Sequence, residues 1–254
     1  MPEYSVSLSV VTYNSENRIG EMLDSIAAHV TGVNYHIYVI DNASTDRTAE
    51  IVKSRCGQNI TLVQNSENVG FGRAHNVVLD RLNSKYHVYI NPDITIKEDV
   101  ITAIARYLDA HPDIGIITPK VLFPSGELQV LPKKDPKFLY LLSRKSKTGM
   151  LKYKKEFEMG DKDMDSAFDI EFCTGCFMFA RTGLLKELGG FDERFFMYFE
   201  DADLARRIRT RARAQYNPAF VVYHHWERAS SKHIKFMWIH AKSMVQYLWK
   251  WRGR

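Results

Sequence analysis

For its first 120 or so residues the chain repeats one unit: an apolar run of strand length, a polar turn, then apolar residues at helical spacing. Ser5 to Thr12 reads as a strand, Tyr13-Asn14-Ser15 as a turn, and Ile19, Met22, Leu23, Ile26 and Ala27 as one face of a helix. Tyr35 to Ile40 starts a second unit. The turn Asp41-Asn42-Ala43-Ser44-Thr45-Asp46 follows, and Ser44 or Thr45 can cap a helix carrying Ala49, Ile51 and Val52. A third strand, Ile60 to Val63, leads through Asn65-Ser66-Glu67-Asn68-Val69-Gly70-Phe71-Gly72 into a helix around Ala74 to Leu82, and Val88-Tyr89-Ile90 ends in Asn91-Pro92-Asp93. Strands alternating with helices over short connections predict an α/β fold with a Rossmann-like, mostly parallel central sheet flanked by helices. Its polar loops gather at the carboxyl ends of the strands, the edge where such sheets bind ligands.

A helix from about Lys97 to Ala110 and a strand at Ile114 to Ile117 continue the pattern, after which Pro119, Pro124, Pro132 and Pro136 interrupt it. Residues 123–165 are therefore expected to be an insertion or mobile segment and not core. Order returns at Phe168 to Phe172 and Gly175 to Ala180, then in a helix beginning near Glu200, and Val221-Val222-Tyr223 is a short last strand ended by His224-His225-Trp226. The expected organisation is one domain over 1–231, with a ligand-binding half to about 118 and a second half to 231, and a C-terminal amphipathic helix over 232–254.

The length suits one large α/β domain or two small ones. No apolar run approaches the roughly 20 residues that span a bilayer, and Met1-Pro2-Glu3-Tyr4 lacks a basic region followed by a signal core, so a cytosolic protein is expected. Cys173 and Cys176 form a C-x-x-C pair without a second pair or histidines at ligand spacing, and are expected to be buried free thiols. The net charge of +5 is concentrated in Lys133-Lys134, Lys137, Arg144-Lys145, Lys147, Lys152 and Lys154-Lys155 and at the C-terminus, which suggests an anionic partner, with no nucleic acid among the expected ones.

Four places carry chemistry. Glu200, Asp201 and Asp203 follow an aromatic run at a helix mouth, where the dipole keeps a carboxylate ionised and aromatic neighbours desolvate it; this is either a general base or a charged first turn. Asp41 leaves a strand at the ligand edge with Thr12 and Asn14 as neighbours, and serves either a ligand or its own turn. Asn68-x-Gly70-Phe71-Gly72-Arg73 lacks the spacing of a dinucleotide fingerprint and of a Walker loop. Its glycines bring backbone and Arg73 to a negative group, or simply open a helix with a surface arginine. Asn91-Pro92-Asp93 offers one carboxylate to a hard divalent cation, and His224 could supply another ligand or be structural.

Ser9-Val10-Val11-Thr12-Tyr13-Asn14, Val39 to Asp46, Asn68-Val69-Gly70-Phe71-Gly72, Asn91-Pro92-Asp93, Gly175 and Glu200-Asp201-x-Asp203-Leu204 occur in the order found in the family 2 glycosyltransferases of GT-A fold. The chain resembles that family from Ser5 to about Ser231, and its Asn-x-Gly-Phe-Gly and Asn-Pro-Asp versions look most like rhamnosyltransferases that use dTDP-L-rhamnose. The resemblance implies that Asp41 reads the pyrimidine, that Thr12 and Asn14 line the nucleoside pocket, and that Asp93 with His224 holds Mg²⁺ or Mn²⁺ on the diphosphate. Asn68, Gly70, Arg73, Asn91, Gly175 and Glu200 would complete the donor site. Asp201 would be the base of an inverting transfer. The family's usual D-x-D begins here with Asn91, leaving Asp93 as its only carboxylate. Transfer of a UDP-linked sugar (GlcNAc, Gal or Galf) and a non-catalytic nucleotide-sugar binding module are the alternatives.

Lys137-Phe138-Leu139-Tyr140-Leu141-Leu142-Ser143-Arg144-Lys145 interleaves apolar residues with cations, as a membrane-surface segment or a loop packed on its own domain would. Ile234, Trp238, Ala241, Val245 and Leu248 form a stripe ending in Trp249, Lys250, Trp251, Arg252 and Arg254, the composition of an interfacial anchor. The stripe could equally dock on the core or on a second subunit. With the resemblance, these features lead to the expectation of a polyprenyl-diphosphate-linked saccharide as acceptor and a peripheral place on the cytoplasmic face of the inner membrane. Homo-oligomerisation stays open.

Overall fold

Tyr4–Thr12 (β1) shows how the sheet is filled: Val6, Leu8 and Val10 face one side and Ser7 and Ser9 the other, and both sides are buried. The apolar side packs on Ile19–His29 (α1) through Ile19, Met22, Leu23 and Ile26. The polar side is closed by hydrogen bonds. Ser7 Oγ lies 2.7 Å from His87 Nδ1, Ser9 Oγ lies 2.9 Å from His87 Nε2, and Ser9 Oγ also lies 2.7 Å from His75 Nδ1. Burial pushes His87 down to about 3, and burial with the neighbouring His87 puts His75 well below its ordinary range, so both rings are neutral.

The chain is described by a computed structural model over residues 4–57, 59–138, 140, 150–172, 174–226 and 234–253. After α1 come Tyr35–Asp41 (β2), Thr48–Lys53 (α2), Ile60–Gln64 (β3), Phe71–Asn76 (α3) and Ser84–Ile90 (β4). The expected helix from Ala74 to Leu82 thus starts earlier and gives way to a 3₁₀ turn at Leu79–Arg81. Ile94–Thr95 (β5), Val100–Ala110 (α4), Ile114–Leu122 (β6), Leu128–Gln129 (β7), Leu151–Phe157 (α5), Phe168–Asp169 (β8), Phe177–Arg181 (β9) and Thr182–Glu187 (α6) follow. Glu200–Ile208 (α7), Arg213–His224 (β10) and Ile234–Lys250 (α8) complete the order. The part of the 123–165 segment that is described is ordered by β7 pairing with β6 and by α5. Most of the basic apolar stretch at 137–145 lies outside the described residues, as does Cys173, while Cys176 is a buried thiol pushed up to about 12 by that burial.

The strands form one sheet in the order β3-β2-β1-β4-β9-β6-β10-β5, with β7 on β6 and β8 on β10. It is parallel among β1 to β4 and between β6 and β10, and antiparallel around β9. β9 enters between β4 and β6, so the second half of the chain continues the sheet of the first. α1 and α4 cover one face, and Leu185 of α6 with Leu204, Ala205 and Ile208 of α7 cover the other. α8 adds a smaller cluster, Tyr247 against Phe195, Phe199 and Ala202. Trp238 and Val245 of the stripe expected there face solvent, because the helix seats itself through Tyr247 and Ser243 instead.

Candidate active site

Sheet register brings the ends of β1 and β2 together. Thr12 lies opposite Asp41, and its hydroxyl donates to Asp41 Oδ1 at 3.1 Å, with both residues buried. The chain leaves through left-handed residues, Asn14 at φ 53° and Ala43 at φ 64°, and the two turns bond to each other. Asn14 donates its backbone N–H to Ser44 Oγ at 2.9 Å and accepts the Thr45 N–H on Oδ1 at 2.8 Å. Asn42 is the hub beside them. Its amide nitrogen donates to Asn68 Oδ1 at 2.9 Å and Gly70 O at 3.2 Å, and its amide oxygen accepts from Asn65 Nδ2 at 3.0 Å and Val69 N–H at 3.2 Å. Sequence reasoning treated Asn42 as a turn residue; the available signal was an amide, able to donate and accept, directly after Asp41.

Gly70 sets the path of the third loop. At φ 91° it occupies a conformation that suits glycine, and an added Cβ would run into the Phe196 carbonyl oxygen. That oxygen accepts the Phe71 N–H at 2.9 Å, tying the 68–72 loop to the aromatic run of the second half. Arg73 is on the surface, 3.6 Å from Glu193.

After β4, Asn91 N–H donates to Cys176 O at 3.0 Å, and Asp93 Oδ1 lies 3.3 Å from His224 Nε2. Gln129 places a proton on one nitrogen of that ring. Its amide nitrogen donates to the His224 carbonyl at 2.7 Å, so its amide oxygen, 3.0 Å from Nδ1, takes the ring proton there. In the neutral ring Nε2 then turns a lone pair toward the Asp93 carboxylate, an arrangement that a divalent cation or a second ring proton satisfies. One imidazole nitrogen and one carboxylate suit Mg²⁺ or Mn²⁺ when a diphosphate supplies further oxygens. Among the described residues no cluster of three or more histidine, cysteine or acidic side chains could hold a metal ion by itself.

α7 springs from two left-handed residues, Tyr198 at φ 70° and Phe199 at φ 69°, a costly conformation that persists only where its surroundings hold it. His240 of α8 contacts both rings, at 5.2 and 5.1 Å between centroids. The turn delivers Asp201 onto the β9 side of the sheet, where Oδ2 accepts the Gly175 N–H at 2.9 Å and Oδ1 the Ala202 N–H at 2.8 Å. Burial nevertheless pushes the Asp201 carboxyl up to about 6. Glu200 is 5% exposed, inside the protein, and burial followed by the Asp201 charge raises it well above the ordinary carboxyl range. At Gly175 an added Cβ would sit 3.2 Å from the Phe71 ring, so the absence of a side chain there keeps Phe71 and Asp201 close.

A cleft of about 800 Å³ opens over these parts. Of the residues singled out in the sequence, Asn14, Asn68, Gly70, Asn91 and Asp93 line it. Thr12, Asp41, Gly175 and His224 adjoin the lining residues Tyr13, Asn42, Phe71 and Asp93, and Asp201 lies one residue further back, bonded to Gly175. Glu200 and Arg73 stand apart from it. Lining residues that sequence reasoning missed include Tyr13, Arg194, Lys242 and Gln246. No local pattern announces that the C-terminal helix folds back to wall the cleft.

The sequence profile of "Glycosyl transferase family 2" matches residues 7–189. The chain is 28% identical over 254 residues to rhamnosyltransferase WbbL of Escherichia coli (strain K12), covering 96% of this chain and 92% of that protein. It is 24% identical over 236 residues to N-acetylglucosaminyl-diphospho-decaprenol L-rhamnosyltransferase of Mycobacterium tuberculosis (strain ATCC 25618 / H37Rv), covering 85% and 74%. The fold is shared with mannosyltransferase PcManGT from Pyrobaculum calidifontis in complex with GDP-Man and Mn²⁺, at TM-score 0.65 and 20% identity over 98% of this chain and 66% of that one.

Proposed function

The chain belongs to glycosyl transferase family 2, and on that premise we propose an inverting transferase that moves L-rhamnose from dTDP-L-rhamnose onto a saccharide carried on polyprenyl diphosphate, in cell-surface polysaccharide or O-antigen synthesis. The observation that carries this reading is a pair of carboxyl groups at and just behind the lining of one cleft. Asp93 Oδ1 lies 3.3 Å from His224 Nε2, and Asp201, raised to about 6, accepts the Gly175 N–H at the start of α7. The rhamnosyltransferase names of two relatives support the sugar, and the diphospho-decaprenol in one of those names supports the acceptor class.

Asn14 and Asn68, whose amide oxygens are taken up within the loops, would offer amide donors to the nucleoside, with Asn42 spent on holding those loops and Thr12 and Asp41 bonded to each other behind them. Asp201 takes the proton of an acceptor hydroxyl as that oxygen attacks the anomeric carbon from the face opposite the diphosphate. The bond between that carbon and the diphosphate oxygen breaks, dTDP leaves, and the configuration inverts. Asp93 and His224 would hold Mg²⁺ or Mn²⁺, which supplies a Lewis acid that offsets charge on the diphosphate.

Among the described residues no helix is long and apolar enough to cross a membrane. Trp238 and Trp249 of α8 are 72% and 59% exposed, and the Arg252 guanidinium lies 4.7 Å from the centre of the Trp249 ring. Aromatic residues beside cations suit the headgroup layer, which supports a peripheral position on the cytoplasmic face of the membrane where a lipid-linked acceptor is presented.

Calorimetric titration with dTDP-L-rhamnose and with UDP-GlcNAc, UDP-Gal and UDP-Galf, each with and without Mg²⁺ or Mn²⁺, tests the donor. Metal-dependent preference for dTDP-L-rhamnose is expected. Preference for a UDP-sugar would keep the class and overturn rhamnose, and no binding to any of them would overturn the whole reading.

A further inference from the structure

One wall of the cleft is not used by the donor chemistry. Along α8, Phe236, Ile239, Lys242, Ser243 and Gln246 recur at spacings of three and four, so they share one face, and that face lines the cleft. Ser243 fixes it there by donating to the Met197 carbonyl at 2.8 Å. Two polar groups on this face lack partners among the described residues. Gln246 Oε1 is buried without a donor, and Lys242, one turn earlier, is exposed to the cleft without a carboxylate. Other cations of the lining are already matched: Arg194 Nε donates to Asp192 at 2.9 Å and Arg18 lies 3.5 Å from Glu21. On the same face as Lys242, Phe236 and Ile239 are apolar. An unmatched ammonium set beside apolar side chains fits a phosphate esterified to a hydrocarbon chain. The donor diphosphate has its own counterpart, the cation that Asp93 and His224 would hold.

We propose that Lys242 centres an acceptor subsite, in which it bonds a phosphate oxygen of a lipid-linked acceptor and Phe236 and Ile239 receive the start of its chain. The proposal rests on the glycosyltransferase reading and adds the residues that would recognise the acceptor.

Titration of the full chain with farnesyl diphosphate, in saturating dTDP and Mg²⁺, probes the subsite without turnover. The wild-type protein should bind, Lys242→Met should bind about tenfold more weakly, a change of about 1.4 kcal/mol, and Lys242→Arg should recover most of the loss. Equal binding by wild type and Lys242→Met overturns the proposal, and so does wild-type binding that is seen only when dTDP is left out, which would assign the site to the donor. Turnover supplies a second readout, with one saccharide presented either on farnesyl diphosphate or on a farnesyl ether lacking phosphate. Lys242→Met should raise KM about tenfold more for the first than for the second, whereas equal rises, or a rise confined to the donor KM, overturn the subsite. If the wild-type protein transferred sugar to neither acceptor, the proposed function would fail while the titration still decided the subsite.

Discussion

A carboxylate that accepts two backbone N–H bonds is ordinarily held below its free value, yet burial outweighs both bonds at Asp201 and pushes it up to about 6. Glu200 beside it is raised further, by burial and then by the Asp201 charge, and its Oε2 is buried without a partner among the described residues. As pH rises, Asp201 gives up its proton near 6 while Glu200 keeps its own, which leaves one base next to one neutral acid; the apparent value belongs to the pair. A base must be unprotonated to act, so kcat/KM should fall about tenfold per pH unit below roughly 6 and level off above it. Asp201→Asn should lose about 10²–10⁴-fold in rate and lose that acid limb as well. A pH–rate profile of both proteins checks this, and an acid limb that survives in the variant would assign the proton transfer to another group.

The element that holds this acid in place is the last helix of the chain. The end of α8 reaches Asp203, one turn into α7 and fully buried, where Trp251 Nε1 donates to Oδ1 at 2.9 Å, Lys250 lies at 2.6 Å and Arg207 donates to Oδ2 at 2.8 Å. Lys250 also bonds Asp192 at 2.6 Å; although burial opposes it, Arg194 and Lys250 hold the Asp192 carboxyl well below the usual range. Trp251→Phe keeps the ring and removes one bond to a buried charge, and should destabilise the protein by about 1.5 kcal/mol, the low end for such a bond because Lys250 and Arg207 still serve Asp203. The shift of the urea midpoint at constant slope measures it, and an unchanged midpoint would mean that α8 is not fastened through this contact. α8 is also where the sequence was least legible. Trp238 and Val245 of its expected stripe face solvent while Leu248 packs inward, and the helix is seated through Tyr247 and Ser243, whose partners Phe199 and Met197 lie more than forty residues earlier. The serines of β1 were hidden for the same reason: a period-two polar face reads as solvated, and only His75 and His87, from other elements, show that it is buried.

At the scale of the whole molecule, the strand-helix units and the positions at strand ends were readable because each depends on residues a few places apart. The walls of the cleft were not, because they join the first hundred residues to the last sixty, as Gln129 does in orienting His224 from 95 positions away. The same arrangement turns the outer face of α8 away from the core while its inner face lines the cleft. Met237, Trp238, Val245 and Trp249 are thereby 60%, 72%, 62% and 59% exposed on a protein of net charge +5. If that face enters a headgroup layer, binding combines apolar insertion with attraction to anionic lipid, and should weaken with salt. In vesicle sedimentation the full chain should partition onto phosphatidylglycerol-containing vesicles more strongly than onto neutral ones. The double variant Trp238→Ser, Trp249→Ser should lose about tenfold in partition, and most of its transfer to vesicle-embedded acceptor, while retaining transfer to a short-chain acceptor in solution. Both tryptophans lie outside the buried cluster around Tyr247, so the fold has no reason to respond to their loss. Undiminished partition of the double variant would leave α8 as a wall of the cleft alone and remove the membrane from the account of how acceptor is reached.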